Sequence, residues 1–297
     1  MPPIPPPRAD GFTQTTAVPL YWVAYGPPAA SQLLVLHGGP GASHDYLLPQ
    51  MLELADEHEL ILYDQRGGGR SRSDAREQVT WQTHVDDLAT IVTEVTRGPL
   101  TLVGYSWGGL LTLLYLANAT HAGAPMPQRI VLIDPAPLSR QYRARFEAEF
   151  ARRQASPEVG SLRAELAASG LRERDPDAYR HRAFELSVAG YFADVRAAKD
   201  LTPFRVIGRV QQSVWDSLGD FDLTNDLARV RPAPPVLIVH GREDPIPLAS
   251  SEQLAQTLGA RLVVIEGSGH VPYVEQPKAL FGAVRDFLSE TESLVRG

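Results

Sequence analysis

Six continuous apolar runs set the terms on which this chain can fold; they lie at 33–36, 60–63, 100–103, 130–133, 236–239 and 262–265. Runs that do not alternate with polar residues predict strands buried on both faces, as in a parallel sheet with crossover helices on either side. A glycine, proline or aspartate follows each run within two residues, where a parallel strand turns out at its carboxyl end. Helical patterns separate the runs, among them 81–96, with Thr80 as its N-cap, and 109–119. The expected class is α/β, with a mostly parallel central sheet and helices on both faces.

The rhythm breaks in the middle. From 138 to 221 there is no strand-like run, and arginines and glutamates interleave at helical spacing over 141–154, 161–169 and 176–199. The reading is a helical cap, 138–221, inserted into a core made of 15–137 and 222–297. An amphipathic helix over 276–295 closes that core. Residues 1–14 are expected as a loose arm in extended polyproline II, because five prolines fall in the first seven positions.

Composition removes several function classes. A net charge of −7 argues against a basic nucleic-acid footprint. The absence of cysteine excludes disulfides, thiolate metal sites and a cysteine nucleophile. The arm has no apolar signal-peptide region, and the most apolar stretch, 110–117, is too short to cross a membrane. A cytoplasmic protein without membrane partners is therefore expected, with the sequon Asn118-Ala119-Thr120 unused.

Chemistry concentrates behind the strands. Gly104-Tyr105-Ser106-Trp107-Gly108 is a G-x-S-x-G placed between a strand and a helix. A serine at such a turn is held in a strained backbone conformation that projects its oxygen above the sheet. The N–H of Trp107 would face a developing oxyanion at the positive end of the helix. Serine needs a base, and the base needs an orienting acid, in the chain order Ser, acid, His. His121, His181, His240 and His270 follow Ser106; His270, in the loop Gly267-Ser268-Gly269 after the last strand, is best placed. Asp244, behind the strand at 236–239, is the favoured acid, with Asp134 behind 130–133 as its rival. His37-Gly38-Gly39-Pro40-Gly41 suits the second oxyanion donor, with Gly39 N–H as that donor. Asp64 and Arg66 are expected to brace the surrounding loops. The glycines at 67–69 fit no phosphate-loop spacing, and no metal-ligand spacing appears, so neither cofactor nor metal is expected.

Taken together, HGGPG, DQRGGGRS, GYSWGG, GREDPIP and GSGH resemble the α/β-hydrolase fold and, within it, the proline iminopeptidase (prolyl aminopeptidase) family. The resemblance covers roughly 15–137 and 222–290. It implies Ser106 as nucleophile, Asp244 and His270 as its partners, and Gly39 with Trp107 as oxyanion donors. The implied activity is release of an N-terminal proline or similar residue from a small substrate or short peptide, through an acyl-enzyme. One departure bears on substrate. Relatives hold the substrate amine with glutamates in the cap or beside the acid, whereas Pro245 follows Asp244 here. Either Glu243, Glu185, Asp216 or Asp220 substitutes, or the enzyme is an esterase, amidase or lactonase for a small neutral acyl group. Tyr191, Phe192, Phe204, Trp215 and Phe221 are the cap aromatics from which a pocket would be built; ordinary cap packing is the competing reading.

Overall fold

A computed structural model describes residues 3–28, 31–74, 77–122 and 124–296, with the side chains of 119–122 and 292–296 outside the described set. The sequon at 118–120 and the side chain of His121 therefore lie partly or wholly outside it. Eight strands form one sheet: β1 (Ala9–Phe12), β2 (Tyr21–Tyr25), β3 (Gln32–Leu36), β4 (Glu59–Tyr63), β5 (Leu100–Tyr105), β6 (Arg129–Ile133), β7 (Val236–Gly241) and β8 (Arg261–Ile265). Their spatial order is β1-β2-β4-β3-β5-β6-β7-β8. From β4 to β8 neighbouring strands are parallel, and each apolar run anticipated from sequence lies in one of them.

The first two strands were not legible in the pattern. Residues 9–12 do not continue the loose arm expected over 1–14; they pair antiparallel with β2, which pairs antiparallel with β4. The free edge of β2 supplies ladder partners, and Arg8 extends the ladder by donating its N–H to Ala24 O at 2.8 Å. Side chains of Arg8 and Glu59 also pair across this edge. A four-residue strand whose faces are half-exposed leaves no apolar signature to read.

Crossover helices α1 (Trp81–Glu94) and α2 (Trp107–Ala122) follow β4 and β5. Thr80 and Thr83 form a capping box at the start of α1. Between β6 and β7 the chain leaves the sheet through α3 (Arg140–Gln154), α4 (Pro157–Ala168), α5 (Leu171–Arg174), α6 (Pro176–Val188), α7 (Gly208–Leu218) and α8 (Thr224–Ala228). Ser139, Ser156 and Asp175 cap α3, α4 and α6, with proline in the first turn of the latter two. Arg140 N–H donates to Phe221 O at 2.8 Å and Leu223 N–H to Leu138 O at 3.2 Å, so the two ends of the excursion are stitched together. After β7 come α9 (Leu248–Leu258), β8, α10 (Pro272–Glu275) and α11 (Pro277–Arg296). One apolar cluster fills each face of the sheet: Leu34, Leu36, Leu102 and Leu132 point into one, Leu33, Val35, Val103 and Val131 into the other. Among the described residues, no helix is long and apolar enough to cross a membrane.

Candidate active site

Register brings the chemistry together. Leu36 pairs with Gly104 and Tyr105 with Ile133, so the loops leaving β3, β5 and β6 meet above one edge of the sheet. Ser106 occupies the turn between β5 and α2 with φ of 53°, a left-handed conformation costing on the order of 1–3 kcal/mol. Its neighbours hold it there. Ser106 N–H donates to Ile133 O at 3.0 Å, and its carbonyl accepts from Gly109, Leu110 and Ala136. Glycine is required at 108, where a Cβ would lie 2.1 Å from Leu36 O.

Ser106 Oγ lies 2.9 Å from His270 Nε2, and His270 Nδ1 lies 2.8 Å from Asp244 Oδ2. The His270 loop is held on several sides. Its N–H donates to Tyr191 O at 2.7 Å, its carbonyl accepts the Tyr105 hydroxyl at 2.9 Å, and the Tyr191 ring stacks on the imidazole at 5.0 Å. Burial lowers the His270 pKa, which leaves the ring uncharged at neutral pH and able to accept a proton.

Asp134 stands behind this pair rather than in it. It is fully buried, has φ of 41°, and its Oδ1 accepts Gly241 N–H at 2.7 Å. Burial and the charge of Asp244 push it well above the usual carboxylate range, so it is the carboxyl that keeps its proton. Burial also pushes Asp244 up, opposed by the neighbouring Asp134 carboxyl and by the hydrogen bond from Ile246 N–H at 2.7 Å. Asp134, Asp244 and His240 offer ligand atoms within 4.8 Å of one another. These atoms are largely committed to protein partners: His240 donates to Ile246 O at 3.2 Å and accepts from Ser251 Oγ at 3.0 Å. The cluster serves as a hydrogen-bonded buttress.

Gly39 and Trp107, the two residues expected to supply backbone donors, line one cavity together with Ser106. Trp107 opens α2, so its N–H has no acceptor within the helix. Gly39, at φ of 134°, lies in the loop after β3, and its N–H donates to none of the described residues. The adjacent Gly38 N–H is already taken by the Tyr46 hydroxyl at 2.7 Å. Gln65 links the two segments: its amide donates to His37 O at 2.7 Å while its carbonyl accepts the Trp107 indole at 2.8 Å. Nearby, Arg66 forks onto Asp87, and Asp64 accepts from His44 and from Arg70 N–H. Against the effect of its burial, the His44 hydrogen bond holds Asp64 below the usual carboxylate range.

Two cavities open beside Ser106. The larger, of about 340 Å³, is walled by aromatic and aliphatic side chains including Tyr46, Phe150, Phe184, Tyr191 and Phe204. Among the described residues, no aspartate, glutamate, lysine or arginine lines it. The smaller, of about 210 Å³, is lined by Trp107, Arg143, Glu147, Gln211 and Trp215.

The anticipated substrate-facing residues divide accordingly. Tyr191 and Trp215 reach the cavities, as does Phe204. Phe192 is buried behind the wall, and Phe221 faces a separate groove with Trp81 and Leu114. Glu243 is corrected as well: its carboxylate accepts Ser268 N–H at 3.0 Å and braces the His270 loop, and it lines neither cavity. Glu185 is paired with Arg182 out on the cap, Asp216 accepts from Gln212, and Asp220 faces the Phe221 groove. None of these carboxylates lines either cavity. Sequence reasoning missed Gln65, and also Glu275, whose carboxylate accepts Ala193 N–H at 2.8 Å and Gly269 N–H at 2.7 Å and so clamps cap to core. No motif marks either; both are revealed only by which backbone groups they satisfy.

Residues 33–283 match the model of the alpha/beta hydrolase family. A proline iminopeptidase of Lactobacillus crispatus is 25% identical over 280 residues, 87% of this chain and 90% of that protein. Among solved structures, a proline iminopeptidase of Mycobacterium smegmatis superposes with a TM-score of 0.69 at 21% identity, covering 97% of this chain and all (100%) of the other. Est816, described as an N-acyl homoserine lactone degrading enzyme, superposes with a TM-score of 0.60 at 21% identity, covering 93% of this chain and 100% of its own.

Proposed function

The chain belongs to the alpha/beta hydrolase family, and from that premise we propose that it is a serine hydrolase that cleaves a small amide or ester through an acyl-enzyme on Ser106. The observation that carries the reading is the unbroken chain from Ser106 Oγ through His270 to Asp244, with contacts of 2.9 and 2.8 Å. In this reading Ser106 Oγ attacks the substrate carbonyl as its proton passes to His270 Nε2. Asp244 holds the Nδ1–H and balances the imidazolium that forms. Gly39 and Trp107 N–H groups receive the oxyanion. His270 then protonates the leaving amine or alcohol, and water repeats the sequence on the acyl-enzyme.

For the acyl group, the proline iminopeptidases similar to this chain support release of an N-terminal proline or similar residue from a short peptide. A specific observation favours a second reading, an esterase, amidase or lactonase for a neutral acyl group. The larger cavity offers no carboxylate to an ammonium, and a buried ammonium left without one costs several kcal/mol.

Ser106→Ala is expected to abolish fluorophosphonate labelling and lower kcat by about 10⁴-fold or more. Retained labelling of that variant would move the nucleophile elsewhere. Free and N-acetylated proline arylamides then separate the acyl readings. A free-amine substrate favoured by about 10²-fold in kcat/KM supports the aminopeptidase. Equal or faster cleavage of the blocked compound assigns the site to neutral acyl groups.

A further inference from the structure

We propose that Arg143, in the smaller cavity, is a specificity residue that receives a carboxylate carried by the substrate. This rests on the reading of Ser106 as the reacting residue. Arg143, at the end of the first turn of α3, lines the cavity that Ser106, Gly39 and Trp107 also line. Its guanidinium carbon sits 3.9 Å from the centre of the Trp215 ring, and its Nε donates to Glu147 Oε1 at 2.7 Å. The fork is thereby fixed on two sides. Only 16% of the side chain is exposed, yet among the described residues neither terminal nitrogen donates a hydrogen bond. A partly desolvated guanidinium with two parallel donors unspent matches the two oxygens of a carboxylate.

The surroundings favour an anion over a cation there. The charges that bear on Arg143 are Glu147 and Asp216, which favour its charged form, and Arg140, which opposes it. Glu147 is the one carboxylate lining the cavity among the described residues; it is already paired with Arg143, and 49% of its side chain is exposed toward solvent. Arg143 is the more enclosed partner, and its aromatic platform continues inward, Trp215 packing edge-on against Trp107 at 5.3 Å. Beside it, the larger cavity is mostly apolar and, among the described residues, carries no aspartate, glutamate, lysine or arginine. The pair of cavities thus suits a substrate with an uncharged apolar portion at one end and a carboxylate at the other, such as a short peptide with a free C-terminus or a half-ester of a dicarboxylic acid.

The test is calorimetric binding to the Ser106→Ala protein, which does not depend on turnover. N-benzoylglycine, N-benzoyl-β-alanine and N-benzoyl-4-aminobutyrate are each compared with their primary amides. At least one acid should bind about tenfold or more tightly than its amide. In the Arg143→Met background that preference should collapse to within about threefold, and Arg143→Lys, which keeps the charge but loses the fork, should fall between. Glu147→Gln should strengthen acid binding by removing a like charge. Acids and amides that bind alike, a failure of all six to bind, or a preference that survives Arg143→Met would overturn the assignment. Tighter binding of N-benzoylethylenediamine that is lost in Glu147→Gln would give the cavity to an ammonium and overturn it too. Fluorophosphonate labelling of the parent protein reports separately on Ser106, so a failure of the serine reading and a failure at Arg143 give different results.

Discussion

Gln65 accepts the indole N–H of Trp107 at 2.8 Å while donating its own amide to His37 O at 2.7 Å, so one side chain ties the loop after β3 to the start of α2, the two segments that supply Gly39 and Trp107 to the cavity beside Ser106. Both of its partners are buried. Gln65→Leu would leave two buried polar groups unpaired, a loss of about 1–3 kcal/mol for each. Because the loops would also lose their mutual spacing, kcat should fall by about 10–10² with a smaller change in KM. Gln65→Glu keeps the acceptor for Trp107 but offers His37 O no proton when ionised, and should land between. Urea unfolding together with steady-state kinetics of both variants checks this; an unchanged kcat in a destabilised Gln65→Leu would confine Gln65 to a structural part.

Asp134 and Asp244 are two buried carboxyls in contact behind His270, and their environments separate their parts. Asp244→Asn should lower kcat by about 10⁴-fold, because His270 would lose the carboxylate that selects its tautomer. Asn at 134 imitates a protonated carboxyl: its oxygen can still accept Gly241 N–H, and its uncharged amide stands beside Asp244 without adding a second negative charge. Asp134→Asn should therefore stay within about tenfold of the parent. Kinetics that reverse the order of the two variants would transfer the role of orienting acid to Asp134.

What the sequence discloses tracks the kind of signal each feature leaves. β3 to β7 are legible because a strand buried on both faces is apolar at successive positions, as in Ile130, Val131, Leu132 and Ile133, and the half-buried edge strand β8 is legible from its apolar run alone. β1 leaves no such trace, since Ala9, Asp10, Gly11 and Phe12 are ordered by the open edge of β2 and not by burial. The positions of Ser106, Asp244 and His270 are legible because each lies just beyond the carboxyl end of a strand, where a parallel sheet gathers its loops. The cap aromatics were harder. Helical spacing does not say which face meets the cavity: Phe192 and Phe221 turn away from it, while Phe150 and Phe184, not singled out from sequence, line it. Gln65 and Glu275 escape notice, and Glu243 is given a substrate-facing part it does not have, for a common reason: their carbonyl or carboxylate groups satisfy backbone or indole donors brought near only by the fold.

His84 offers a test of how the core responds to acid. It is buried on α1, its ring meets Trp107 edge-on at 5.8 Å, and burial lowers its pKa to about 4. The sign follows from which state takes the proton first. Above the ordinary value of 6.5 both folded and unfolded chains hold a neutral ring, and the group contributes nothing to pH dependence. Between 6.5 and about 4 the unfolded chain is protonated and the folded chain is not, so stability is lost as pH falls through that window. Removing the titrating group removes this loss. His84→Phe should therefore gain about 2 kcal/mol relative to the parent on going from about pH 7.5 to about pH 5, whatever its offset at the higher pH. Urea midpoints and slopes of both proteins at the two pH values measure it. A constant difference between them would show that the folded state accommodates a charged His84, and that the packing around Trp107 is wetter than its burial indicates.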